Sequence, residues 1–110
     1  MTRIKKSIKN ERFMKRIFST RELEELKVKG FKVQSVAANF CAKEAFLKSI
    51  GKGLGYMKLN KIELLRKNSG EPYLLISDDN FNNKYKKASF SISITHTKEY
   101  ALATVVAEFL

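Results

Sequence analysis

The sequence predicts an α+β fold, with N-terminal helices and a long central helix packed on an antiparallel sheet. Three observations carry that expectation. From about Gln34 to Ile50, the residues Val36, Phe40, Leu47 and Ile50 recur on one helical stripe, and Gly51 stands where a helix terminus favours a left-handed residue. Ser89 to Thr95 alternates strictly, with Phe90, Ile92 and Ile94 on one side and hydroxyl residues on the other. Helical patterns come first and strand patterns later, whereas a parallel βαβ sheet would interleave them.

The remaining elements follow from local signals. Arg3 to Ile17 places Ile4, Ile8, Phe13 and Ile17 among many Lys and Arg, a loosely amphipathic helix broken near Asn10. Ser19 followed three residues later by Glu22 is a capping box, so a short helix is predicted from Thr20 to Lys27, ending before Gly30. After the turn Gly51-Lys52-Gly53-Leu54-Gly55, short strands are predicted at Lys61 to Lys67 and Tyr73 to Ser77, around a turn at Asn68-Ser69-Gly70. Asp78 to Lys87 is ambiguous. Tyr100 to Phe109 is rich in strand formers and pairs with Ser89 to Thr95 as a hairpin turning at His96 to Glu99.

At 110 residues and 44% hydrophobic, the chain suits one core, so residues 1–110 are taken as one domain. Lys and Arg number 22 against 11 Asp and Glu, a formal charge of +11 that favours a polyanionic partner: nucleic acid, phosphates or an acidic protein. The single cysteine, Cys41, allows no internal disulfide or thiolate zinc cluster and is read as a small buried hydrophobe. No signal-peptide pattern and no stretch of roughly 18 apolar residues is present, so a soluble, cytoplasmic protein is expected, without membrane contact.

On the central helix, Lys43 falls in the apolar stripe between Phe40 and Leu47, while Glu44 and Lys48 stand one turn apart on the adjoining face. A carboxylate offers oxygen to Mg²⁺ and lysines neutralise phosphate oxygens, so this grouping suits a metal-bound pyrophosphate. An ordinary exposed i, i+4 pair worth about 0.3 to 0.5 kcal/mol explains Glu44 and Lys48 equally well. The one histidine, His96, shares the parity of Ile92 and Ile94, which sets it at the inner edge of the sheet; a hydrogen-bonded core-edge residue is the plainer account. Gly51 to Gly55 follows a helix and has neither the Walker nor the dinucleotide spacing.

Two blocks together point further: Asn39-Phe40-Cys41-Ala42-Lys43-Glu44-Ala45-Phe46-Leu47-Lys48 running into Gly51-Lys52-Gly53-Leu54-Gly55, and Ser93-Ile94-Thr95-His96-Thr97-Lys98-Glu99-Tyr100-Ala101. They resemble the two signature motifs of the holo-acyl-carrier-protein synthases, which are phosphopantetheinyl transferases. Arg3-Ile4, Arg12-Phe13, Phe18-Ser19-Thr20 and Gly70-Glu71-Pro72-Tyr73 add supporting matches. The resemblance implies transfer of the phosphopantetheine arm of coenzyme A to a serine of apo-acyl carrier protein, in fatty acid biosynthesis. The serine attacks the β-phosphate, adenosine 3′,5′-bisphosphate leaves, and a carboxylate or a water takes the proton. It further implies Mg²⁺ held by Glu44, Lys48 on the phosphates and His96 close to the pyrophosphate. Lys43 with Gly51, Lys52 and Gly53 would hold the nucleotide side, and Gly70 to Pro72 would lie near the adenine. Arg3, Lys6, Arg12 and Arg16 would receive an acidic helix of the carrier protein. Family members are typically homotrimers with sites at subunit interfaces, and no nucleic acid partner is implied.

Two departures qualify the match. Such synthases usually open with a glycine-bearing strand whose aspartate is the other protein ligand of Mg²⁺, and the corresponding position lies just upstream of Met1. The expectation is that Met1 is an internal methionine of a longer frame, and that without the aspartate metal binding and turnover are weakened. Asn39 stands where an arginine commonly precedes the helix-motif Phe. Two alternatives stay open: an inactive or truncated synthase relative, and a small basic module binding nucleic acid through its Lys-rich first helix and aromatics such as Tyr56 and Tyr85.

Overall fold

The computed structural model describes residues 10–97 and 100–109. Elements are numbered from the first described one: α1 (Glu11–Ile17), α2 (Thr20–Val28), α3 (Val33–Ser49), a 3₁₀ turn (Leu59–Lys61), β1 (Ile62–Arg66), β2 (Pro72–Ile76), α4 (Asp79–Lys84), β3 (Ala88–His96) and β4 (Ala101–Phe109). The fold is α+β, and its strands form two antiparallel hairpins, β1–β2 and β3–β4.

The helix boundaries follow capping chemistry. The Asn10 side chain accepts from the Phe13 N–H and starts α1, where the sequence pattern breaks. Ser19 and Glu22 form the complete capping box of α2. α3 ends in a Schellman arrangement: Gly51 N–H donates to Lys48 O at 3.0 Å and Lys52 N–H to Leu47 O at 2.8 Å, with Gly51 at φ 72°. The ambiguous polar stretch holds α4, capped by Asp78 accepting from Phe81 N–H at 2.8 Å. Phe81 is the apolar anchor that gives this short helix a reason to form.

α3 carries the core. Its N-terminal half presents Val36 to a cluster with Met14, Phe18 and Leu26, and its C-terminal half presents Phe46 and Leu47 to Ile62 and Phe81. Phe46 sits edge-on to Phe81 at 5.4 Å and to Phe90 at 5.0 Å between ring centroids. The β3–β4 hairpin lies against α3 through its half-buried residues, among them Phe90, Ile92, Ile94, Ala103 and Val105, while Ser89, Ser91, Ser93 and Thr95 face outward as the alternation predicts. Register pairs His96 with Ala101 at the end of the hairpin.

Removing the aromatic centre should be costly. Phe46→Ala is expected to destabilise the fold by about 3 to 5 kcal/mol, measured as a lowered urea midpoint with a little-changed slope; a loss under about 1 kcal/mol would contradict the packing described.

Candidate active site

The site is built around a polar core between the two apolar clusters. Lys43 is wholly buried, and its ammonium donates to Glu22 Oε1 at 2.7 Å, to Leu59 O at 2.8 Å and to Ile62 O. Three acceptors match the three N–H bonds of an ammonium. The Glu22 carboxylate also accepts from Ser19 N–H and Leu64 N–H, each at 3.1 Å. Burial pushes the Glu22 carboxyl up and the Lys43 ammonium down from their ordinary values, and each is opposed by the partner's charge and the hydrogen bond between them.

A second buried carboxylate adjoins the first. Glu63 accepts from Ser19 Oγ at 2.7 Å, Arg21 Nη2 at 2.9 Å and Ser77 Oγ at 3.1 Å. Burial alone would raise its carboxyl, but the hydrogen bonds from Ser19, Arg21 and Ser77 outweigh it and hold Glu63 below the usual carboxylate range. The two carboxylates share Ser19, so α2, α3, β1 and β2 are joined through one network.

This placement corrects the sequence expectation for Lys43. A side chain with no solvent exposure, bonded to Glu22 and two carbonyls, does not reach a nucleotide. The correction has a physical reason, because withdrawing the ammonium would leave Glu22 as an unpaired buried charge, a loss of about 3 to 5 kcal/mol.

One residue on, the helix faces outward. Glu44 is partly exposed and pairs loosely with the more exposed Lys48, 3.7 Å away. The turn after Lys48 brings Gly51, Lys52 and Gly53 to the surface, with the Lys52 ammonium 5.1 Å from the centroid of the Tyr56 ring. A carboxylate and two lysines thus stand around one exposed helix end. The described residues hold no group of three or more His, Cys, Asp or Glu side chains able to enclose a metal. A lone carboxylate still fits Mg²⁺, which keeps several waters and takes further oxygens from substrate phosphates.

His96 lies elsewhere in the chain. It is exposed at the end of β3 and lines a small cleft with Glu25, Lys29, Ser35, Asn39 and Arg66, and neither Glu44 nor Lys48 is part of that cleft. Pro72 opens β2, opposite Arg66. Arg66 thus pairs with Pro72 across the β1–β2 hairpin and lines the cleft that holds His96. Asn39, where the resembling family has arginine, is nearly buried beside His96.

Arg12 and Arg16 line a groove of about 840 Å³ between α1 and the 3₁₀ turn. Lys15 and Lys58 add charge, Ile17 and Leu59 supply apolar surface, and Glu11 is the one acid. Asn60 Nδ2 donates to Lys15 O at 3.3 Å and ties the two walls together. Lys15 and Lys58 were absent from the sequence-derived set, although Lys15 sits between Arg12 and Arg16 on the same short helix. Arg3 and Lys6 lie outside the described residues.

One long helix thus buries a cation inside the core while exposing a carboxylate, a lysine and a glycine turn, which defines a class of small α+β domain able to meet a phosphorylated ligand at that helix end. The chain matches the model of the 4′-phosphopantetheinyl transferase superfamily over residues 1–105 and belongs to that superfamily. It is 39% identical over 110 residues to a holo-[acyl-carrier-protein] synthase of Clostridium beijerinckii, covering 98% of this chain and 89% of that one. Among solved structures, the Helicobacter pylori holo-[acyl-carrier-protein] synthase in complex with coenzyme A superposes with a TM-score of 0.85 at 28% identity, covering 97% of this chain and 92% of the other. A Bacillus anthracis holo-(acyl-carrier-protein) synthase in complex with CoA (3′,5′-ADP) gives a TM-score of 0.78 at 32% identity, covering 99% and 89%.

The lowered carboxyl of Glu63 sets a pH dependence with a definite sign. Its stabilisation is fully present above the unfolded carboxylate value and is lost as pH falls through the lower folded value. Glu63→Gln should therefore cost about 1 to 3 kcal/mol near neutral pH, and its deficit against the parent in urea titrations should shrink on acidification. A deficit that stays constant into strong acid would contradict the assignment.

Proposed function

We propose that this chain transfers the 4′-phosphopantetheine arm of coenzyme A to a serine of apo-acyl carrier protein, yielding holo-carrier and adenosine 3′,5′-bisphosphate. The observation that carries this reading is the outward face of α3, where Glu44 and Lys48 stand 3.7 Å apart at the edge of the Gly51–Gly53 turn. Full-length similarity to holo-[acyl-carrier-protein] synthases, two of them solved with coenzyme A or its nucleotide, supports the substrate assignment.

In the proposed mechanism Glu44 holds a Mg²⁺ ion, which when bound neutralises charge on the diphosphate. Lys48 and Lys52 pair with phosphate oxygens at the glycine turn, whose Gly51 and Lys52 N–H groups are already engaged in capping α3. The serine oxygen forms a bond to the β-phosphorus, and the bond from that phosphorus to the bridging oxygen breaks. The bisphosphate leaves with the electron pair, and a carboxylate or water accepts the serine proton. No covalent enzyme intermediate is needed.

His96 and Pro72 belong to the same reaction in this reading, but from a neighbouring copy of the chain. Within one chain His96 lines a separate cleft. The outer face of β3–β4 exposes Leu102 and Val106 across from Thr95 and Ser91, a partly apolar surface suited to self-association. A homotrimer in which each site takes Glu44 and Lys48 from one copy and His96 with Pro72 from the next accommodates both facts. No described helix is long and apolar enough to cross a membrane, and a cytoplasmic location fits the substrates proposed.

The basic groove along α1 is the proposed landing place of the carrier. Arg12, Lys15, Arg16 and Lys58 surround an apolar floor of Ile17 and Leu59, which complements an acidic amphipathic helix. Arg3 and Lys6 extend the same basic stretch in sequence.

Incubation with coenzyme A, Mg²⁺ and apo-carrier should add one phosphopantetheine to the carrier by mass spectrometry. Glu44→Gln and His96→Ala should each lower kcat on the order of 10²-fold; transfer at the parental rate in both would refute the site. Lys58→Glu should raise the KM for carrier on the order of tenfold with kcat little changed, since it touches docking alone. An unchanged KM would remove Lys58 from the docking surface.

A further inference from the structure

Lys43 and Glu44 are consecutive on α3 and meet opposite environments, one without solvent exposure and the other partly exposed beside Lys48. The Lys43 ammonium is held from three sides: by Glu22 of α2, by Leu59 O of the 3₁₀ turn and by Ile62 O at the head of β1. The Phe18 ring closes a further side, 5.3 Å from the ammonium. Glu22 is itself fixed by the N–H groups of Ser19 and Leu64. Acceptors on separate elements define a point in space, so the rotation of α3 about its axis is set at the residue immediately before Glu44.

The apolar clusters grip α3 toward its two ends, through Val36 at one and through Phe46 and Leu47 at the other. Between them the buried residues besides Lys43 are small or short, Ala37, Ala38, Asn39 and Ala42, and the half-buried Phe40 packs on the N-terminal cluster. Alanine contacts tolerate a small roll of the helix, whereas hydrogen bonds with angular requirements do not. A modest roll moves the end of a glutamate side chain by roughly 1 Å, and a misplacement of that size costs on the order of 10²-fold at a reacting centre.

We propose that Lys43 is a positioning residue for the transfer reaction: by tethering the middle of α3 to Glu22, the 3₁₀ turn and β1, it holds the Glu44 carboxylate at the depth and orientation in which it receives a divalent cation. This inference rests on the reading of Glu44 as the metal carboxylate. It gives the buried cation a part in the chemistry without contact to the ligand.

Binding of Mn²⁺ in the presence of coenzyme A, followed through loss of the free-ion electron paramagnetic resonance signal, requires no turnover and tests the proposal. The double variant Glu22→Gln/Lys43→Met removes both buried charges and keeps one amide oxygen to accept from Ser19 or Leu64, which bond different oxygens of the Glu22 carboxylate. Leu26→Ala lowers stability in the N-terminal cluster without removing any hydrogen bond of the tether, and Glu44→Gln removes the carboxylate itself. All are compared with the parent at a temperature where circular dichroism shows each folded. The double variant should weaken Mn²⁺ binding about tenfold, Leu26→Ala should stay within about twofold of the parent, and Glu44→Gln should weaken it more than either. Parental affinity in the double variant, with Glu44→Gln weakened, overturns the positioning role while leaving the reading of Glu44 intact. An equal loss in Leu26→Ala overturns it too, since the effect would then follow stability. Parental affinity in Glu44→Gln, or a parent chain that binds no Mn²⁺, overturns both.

Discussion

The ion pair between Lys43 and Glu22 is the constraint on which the remaining arrangement depends. It lies where α2, α3, the 3₁₀ turn and β1 meet, between the two apolar clusters, and neither member reaches solvent. Such a pair adds little net stability over well-packed hydrophobes, because desolvating two charges offsets most of their attraction. What it supplies is direction. Lys43 finds its acceptors only with α3 in one rotation, and that rotation turns Glu44 and Lys48 outward. Glu63, joined to the same network through Ser19, extends the constraint to β2 through Ser77 and to the surface through Arg21.

Much of the fold was legible in the sequence because its signals are local. Ser19 and Glu22 announce a helix start, Gly51 a helix stop and Asn68-Ser69-Gly70 a hairpin, and the alternation of Phe90, Ile92 and Ile94 fixes which side of β3 meets α3. α4 was not legible, since Asp79–Lys84 is polar throughout except for Phe81, whose burial depends on a partner distant in sequence, Phe46. Lys43 shows the same limit from the other side. A cation within an apolar stripe signals a buried partner, but the partner, Glu22, is distant in sequence and already accounted for by its capping box. Glu63 was missed for the same reason: its donors, Ser19, Arg21 and Ser77, come together only through tertiary structure.

The candidate site was legible to the extent that one helix carries it. Glu44 and Lys48 meet by helical spacing alone, and the glycine turn follows directly. Parity with Ile92 and Ile94 set His96 at the inner edge of the sheet, whereas it is exposed at the end of β3 and lines a cleft with Asn39 that includes neither Glu44 nor Lys48, because strand parity says nothing about which helix residues a strand end will approach. The basic groove was half legible: Arg12 and Arg16 stand out in the sequence, whereas Lys58 joins them only because the 3₁₀ turn folds against α1. Part of the net charge of +11 is thus gathered in this groove, though no single segment reveals its shape.

A crystal structure of the chain grown with coenzyme A and Mn²⁺, with the metal located by its anomalous signal, tests the central claim most directly. The account predicts a metal peak at about 2.2 Å from a Glu44 carboxylate oxygen, phosphate oxygens beside Lys48, His96 supplied by an adjoining copy, and Lys43 still bonded to Glu22. A metal peak remote from Glu44, or a Lys43 ammonium turned out of the core onto the nucleotide, would contradict it.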